Sequence, residues 1–236
     1  MSIVGTATKS SRFLHLCRVL AGRYRQCWSD REFRVSLVLS ALTFTASLIV
    51  VFYAIGYATD RASNPVTDIV LSNTPVFDVD GLFVYGTAFF LAFVVPLLLV
   101  NPRCIPFALH SVALFYFTRA GFISLTHLGP FPLANPNAFD LGATVNRFFV
   151  GKDLFFSGHT GLPFLLALIF WKEKRARVIF LLWSAYFGII VLLGHLHYSI
   201  DVASAFFITF GVYKIAEWLF PKDRAFFNSD TPSRSA

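Results

Sequence analysis

VSLVLSALTFTASLIVVFYAIGYA, residues 35–58, carries no charged side chain and exceeds the roughly 18 apolar residues that cross a bilayer. Read outward from it, the chain shows five further apolar runs, near 82–100, 104–126, 156–171, 178–194 and 198–220. The fourth is the shortest, and Leu154 and Phe155 extend it. Hydrophobic residues make up 56% of the chain and charged residues 14%, too few charges to coat a soluble surface of this size. The expected fold is all-α, a polytopic membrane bundle of six transmembrane helices. Three segments follow: a basic N-terminal part at 1–34, a membrane domain at 35–220 and a short polar tail at 221–236.

Charge sorts the connections into two classes. Residues 1–34 hold Lys9, Arg12, Arg18, Arg23, Arg25, Arg31 and Arg34, the turn after the fourth run holds Lys172, Lys174, Arg175 and Arg177, and the tail holds Lys222, Arg224 and Arg234. By the positive-inside rule these ends lie in the cytoplasm, and with six spans both termini do. The acidic or mixed connections, with Asp60, Arg61, Asp68, Asp78 and Asp80, and with Asp140, Arg147, Lys152 and Asp153, fall on the other side. The net charge of +7 is thereby explained by the cytoplasmic lipid surface, with no need of nucleic acid. Residues 13–28 alternate apolar side chains with arginines and fit either an amphipathic surface helix or a disordered basic tail. The 126–155 connection, with its Gly-Pro and Asn-Pro pairs, is long enough for a lid over a site. Cys17, Cys27 and Cys104 have neither disulfide nor metal-ligand spacing, so neither is expected. The first apolar run is long enough to remain as an anchor rather than be cleaved.

The chemistry concentrates at two helix mouths. Ser157-Gly158-His159-Thr160 opens the fourth run, and His197-Tyr198-Ser199-Ile200-Asp201 opens the sixth. On a helix His197 and Asp201 share one face, and the carboxylate can fix the imidazole's tautomer. Six-span alternation brings His159 to the same membrane depth and side. Two imidazoles on one site suit attack on phosphorus, one as nucleophile and one moving the proton. His15, His110 and His127 read as hydrogen-bonded structural residues. Arg119, inside the third run, needs a partner there: a phosphate oxygen, a carboxylate such as Asp201 or Asp153, or the interface by snorkelling. Ser157 and Gly158 allow backbone amides to approach a phosphate at a helix start. Lys152 and Asp153 fit headgroup contacts or solvated loop charges equally. His195 faces the same end and can tune the pair.

These residues resemble the sphingomyelin synthase family, lipid phosphotransferases related to the type 2 phosphatidic acid phosphatase superfamily. Residues 153–160 are similar to the family's third signature, in which an aspartate precedes Ser-Gly-His-Thr, and 195–202 to its fourth. Pro75-Val76-Phe77-Asp78 partly resembles the first, and the stretch from Arg119 to Thr126 the second. The resemblance runs over about 74–213. It implies a phosphohistidine on His197, with Asp201 orienting it and His159 as the proton shuttle. The implied substrate contacts are Arg119, Lys152, Asp153, Ser157, Gly158, His195, Tyr198 and Asp78. The implied partners are a glycerophospholipid donor and a lipid alcohol such as ceramide, in the bilayer, with no cofactor. A homo-oligomer is left open. The active site is expected to face the extracytoplasmic side. Lipid phosphatases of the wider superfamily carry an arginine six residues before the nucleophile, where this chain has Val191. A singly charged phosphodiester tolerates that loss better than a doubly charged monoester, which favours a phospholipid donor. The rivals are a lipid phosphate phosphatase, a phospholipase-C-like hydrolase, and a non-catalytic scaffold or transporter using the histidines for proton coupling.

Overall fold

The computed structural model describes residues 9–132 and 154–228, and among them helices account for nearly all the regular structure. In chain order they are α1 (Lys9–Ser29), α2 (Arg31–Asp60), α3 (Asp80–Val100), α4 (Ile105–Leu125), α5 (Gly158–Ile169), α6 (Lys174–Leu193), α7 (Ser199–Leu219) and α8 (Pro221–Asn228). The helix α1 settles residues 9–29 in favour of order over a disordered tail. The start of α2 is punctuated: the Asp30 carboxylate accepts from the amides of Glu32 and Phe33, two of the donors a new helix leaves open.

Among the described residues, five helices are long and apolar enough to cross a membrane: α2, α3, α6, α7 and the stretch Pro102–Leu125 that contains α4. The apolar run expected at 156–171 forms only the 12 residues of α5, about 18 Å of helix at 1.5 Å per residue. Phe156, with φ of 22°, turns the chain just before it, and Ser157 caps its start. At its other end the chain leaves the helix at Phe170, ahead of Lys172. Hydrogen bonds nonetheless carry α5 from one end of the bundle to the other. The Ser157 amide donates to the Asp201 carbonyl at 2.9 Å, and Arg224 of α8 donates to the Ile169 carbonyl at 3.1 Å.

The same bonds sort the helix ends. At one end the start of α5 joins the start of α7, the Phe77 amide donates to the Leu193 carbonyl at the end of α6, and Ser63, beyond α2, bonds the His127 carbonyl beyond α4. At the opposite end Arg23 and Tyr24 of α1 donate to the carbonyls of Val100 and Leu99 as α3 finishes. There the His110 Nδ1 meets the Asp223 carboxylate at 2.6 Å, Ser36 donates to that same carboxylate, and Phe220 stacks on the imidazole at 4.1 Å. The segment from 221, expected as a polar tail, thus begins with a helix whose aspartate is buried, and His110 has the structural role its position suggested.

Phenylalanine dominates the interior. Phe107, Phe115, Phe156, Phe170, Phe180 and Phe187 are fully buried, and Phe90 meets Phe180, Trp183 and Phe187 edge to face at 6.3, 5.7 and 6.0 Å. Between helices in hydrocarbon, where burial gains little from water exclusion, such directed ring packing sets which helix faces meet.

Candidate active site

The start of α7 is the anchor of the site. Asp68, from the 61–79 connection, accepts from both the Ser199 amide at 2.7 Å and the Ser199 hydroxyl at 2.8 Å through one carboxylate oxygen. Its other oxygen accepts from the amides of Val70 at 2.8 Å and Leu71 at 3.0 Å. Beside it, Tyr198 is buried and its hydroxyl donates to the Gly129 carbonyl at 2.8 Å while accepting from the Val66 amide at 3.2 Å. Two connections distant in sequence are therefore fastened to one helix mouth. Burial works against the Asp68 charge, yet the four donors outweigh it and hold the carboxyl below its ordinary range. A depressed folded value contributes stability that is present above the unfolded carboxylate range and is lost as pH falls through the folded value. Asp68→Asn is accordingly expected to lower the apparent Tm in detergent at neutral pH and to flatten the acid limb of the Tm-against-pH curve. An acid limb as steep as that of the parent chain would show that other carboxylates govern it.

One turn into α7, Asp201 is completely buried and accepts at a single oxygen from the Tyr198 amide and the His197 Nδ1–H, each at 3.1 Å. A carboxylate only accepts, so the proton sits on Nδ1 and the lone pair on Nε2 of His197. The side chain of His197 is 9% exposed, shielded but not sealed. Its own amide, with that of Leu196, points at the Val191 carbonyl in the last turn of α6. Val191 itself is buried and apolar, and brings no cation to this corner.

The second imidazole arrives on α5. The Ser157–Asp201 backbone bond fixes the mouth of α5 against that of α7, and the Ser157 hydroxyl accepts from the Thr160 amide. His159 then lies between the rings of Phe83, at 4.4 Å, and Phe187, at 5.6 Å, within electrostatic reach of His197 and Arg119. Arg119, buried on α4, donates to the carbonyls of Phe155, at 3.0 Å, and Phe156, and so answers the demand for a partner with backbone oxygens. Its guanidinium lies against Gly158, where a Cβ would come within 3.3 Å of Nε. The missing side chain brings a fixed cation to the first turn of α5, next to its positive dipole end. That combination can stabilise an anion beside His159.

The remaining expected contacts divide. His195, in the left-handed region with φ of 53°, donates from Nε2 to the Thr74 carbonyl at 3.1 Å and meets Phe131 edge to face, while its buried Nδ1 finds no partner among the described residues. Asp78 is exposed, and its carboxylate accepts from the Asp80 amide at the start of α3. Lys152 and Asp153 lie outside the described residues, as does most of the 126–155 connection. Sequence reading singled out neither Asp68 nor the Phe83–Phe187 pair. Asp68 stands 131 residues from Ser199, so no local spacing marks the contact.

Neither the curated proteins nor the solved structures searched give a match to this chain. Residues 151–218 match the family described as PAP2 superfamily C-terminal, a segment that holds Ser157, His159, His197 and Asp201, and this match supports the PAP2 superfamily for the chain.

Proposed function

We propose that this protein is a lipid phosphotransferase that moves a phospho-headgroup from a glycerophospholipid, phosphatidylcholine or phosphatidylethanolamine, to ceramide or a similar lipid alcohol, releasing diacylglycerol. The observation that carries the reading is the buried Asp201 carboxylate on the His197 Nδ1–H, which leaves Nε2 with its lone pair, beside a second imidazole at His159. In the first half-reaction Nε2 attacks phosphorus, the bond from phosphorus to the diacylglycerol oxygen breaks, and His159 gives that oxygen its proton. In the second, His159 takes the proton of the acceptor hydroxyl, the oxygen attacks the phosphohistidine, and the phosphorus–nitrogen bond breaks to restore His197. Arg119 and the first turn of α5 offset the developing charge.

The superfamily match supports phosphate-ester chemistry of this general kind. The choice of a diester donor is supported by Val191, since a doubly charged monoester would lack a cation there. A six-span topology with both termini cytoplasmic and the histidines on the extracytoplasmic side is supported by the basic residues at the α1 and α8 end. With water as acceptor the same residues would make a lipid phosphate phosphatase or a phospholipase-C-like hydrolase, a reading that the superfamily match favours equally.

Purified protein is to be incubated with defined phospholipids, with and without ceramide, and the products resolved by mass. Ceramide-dependent appearance of a headgroup-bearing ceramide, with matching diacylglycerol, is expected. Phosphate released from phosphatidic acid faster than any transfer would instead establish the hydrolase.

A further inference from the structure

Helices α3 and α6 flank a groove of about 490 Å³ lined by Leu82, Tyr85 and Phe89 on one side and Leu182, Trp183 and Tyr186 on the other. Leu82, Tyr85, Phe89 and Leu182 are exposed, and both helices are long and apolar enough to cross a membrane. In a bilayer the groove therefore opens onto hydrocarbon, and the volume suits a lipid chain. Its inner wall adjoins two buried phenylalanine rings. Phe83, next to Leu82 in the chain, and Phe187, next to Tyr186, face each other across the seam at 6.4 Å, and both touch the His159 imidazole. Tyr186 latches the seam: its hydroxyl donates to the Leu82 carbonyl at 2.9 Å, and its ring lies on the bare Cα of Gly86, where a Cβ would come within 2.8 Å. By contrast, α2 exposes Leu42 and Tyr53 to the same surroundings.

The two lipids of the proposed reaction differ in what must cross such a wall. A charged phospho-headgroup would lose its hydration against phenylalanine rings, at a cost that burial of an ion makes prohibitive. The hydroxyl of a neutral lipid alcohol would lose far less, and its chain never has to leave the hydrocarbon.

We infer that the α3–α6 groove holds the hydrocarbon chain of the neutral lipid alcohol, departing diacylglycerol or arriving ceramide, and that the Phe83–Phe187–Tyr186 seam is the lateral portal through which its hydroxyl meets His159. The inference rests on the proposed proton-shuttle role of His159. Diacylglycerol carrying a diazirine in one acyl chain, photolysed with the protein in phosphatidylcholine nanodiscs, labels the lining residues of α3 and α6 in preference to the exposed face of α2 around Leu42 and Tyr53. Leu182→Trp fills the groove from its lipid-facing side. It removes that preference and lowers kcat/KM for a long-chain ceramide acceptor roughly tenfold or more, while a hexanoyl ceramide is little affected. Equal labelling of α2 and the seam, preference kept in Leu182→Trp, or an equal loss for both acceptors would overturn the portal. Seam labelling in a parent protein that transfers no headgroup from any phospholipid would instead overturn the phosphotransfer reading and leave a neutral-lipid site.

Discussion

His197→Ala is expected to lower headgroup transfer by at least about 1,000-fold, the scale on which loss of a covalent nucleophile registers in other enzymes. The size follows from the proposed chemistry. Without Nε2 there is no phosphohistidine, and one displacement would have to bring a lipid hydroxyl directly onto phosphorus without the intermediate that splits the barrier. The fold has little reason to suffer, because the imidazole bonds the Asp201 carboxylate, and Asp201 keeps the Tyr198 amide when the ring is gone. A phospholipid labelled in its phosphate adds a direct measurement. Quenched in alkali, the parent protein should retain the acid-labile, base-stable label of a phosphohistidine, and His197→Ala should retain none. Transfer within about tenfold of the parent rate in a variant of unchanged melting temperature would remove His197 from the nucleophile's place. Label persisting on the variant would move the nucleophile elsewhere, His159 first.

The membrane helices were legible because hydrocarbon disfavours charge: the charge-free run 82–100 and the sparsely charged run 198–220 correspond to α3 and α7 almost residue for residue. The short α5 was not, since hydropathy counts apolar side chains and says nothing of the backbone turn at Phe156 that delays the helix. At the site, the pairing of His197 with Asp201 was visible from a four-residue spacing that helix geometry converts into a contact. The nearness of His159 was visible only through topology, from the count of spans and their alternation. Arg119 was recognised as a cation in need of a partner, but the oxygens it meets belong to the backbone of Phe155 and Phe156, and main-chain acceptors leave no mark in composition. Asp68 escaped for a related reason. Its partner is a helix mouth that any acceptor in reach could cap, so the sequence offers several aspartates of one connection and no means of choosing among them.

Asp201→Asn is the sharper probe of the site, because it changes the hydrogen-bonding logic of the pair while keeping its shape. Asp201 touches no substrate in the proposed cycle and acts through His197. At present one carboxylate oxygen accepts from both the Tyr198 amide and the His197 Nδ1–H. An asparagine that keeps its oxygen toward the Tyr198 amide turns its NH₂ toward Nδ1, which must then accept. The imidazole proton moves to Nε2, and the lone pair that attacks phosphorus is lost. An asparagine turned the other way keeps the imidazole tautomer but loses the negative charge that steadies His197 as positive charge develops on it. A fall in kcat of about 10³–10⁴-fold is expected, approaching the roughly 10⁴-fold seen when a buried triad aspartate is made asparagine in a protease. KM for the phospholipid is expected to stay near the parent value, because the headgroup and chains keep their contacts. A variant with kcat within about tenfold of the parent would show that His197 holds its tautomer without the carboxylate. A rise in KM at unchanged kcat would make Asp201 part of the lipid-binding surface rather than the group that orients the nucleophile.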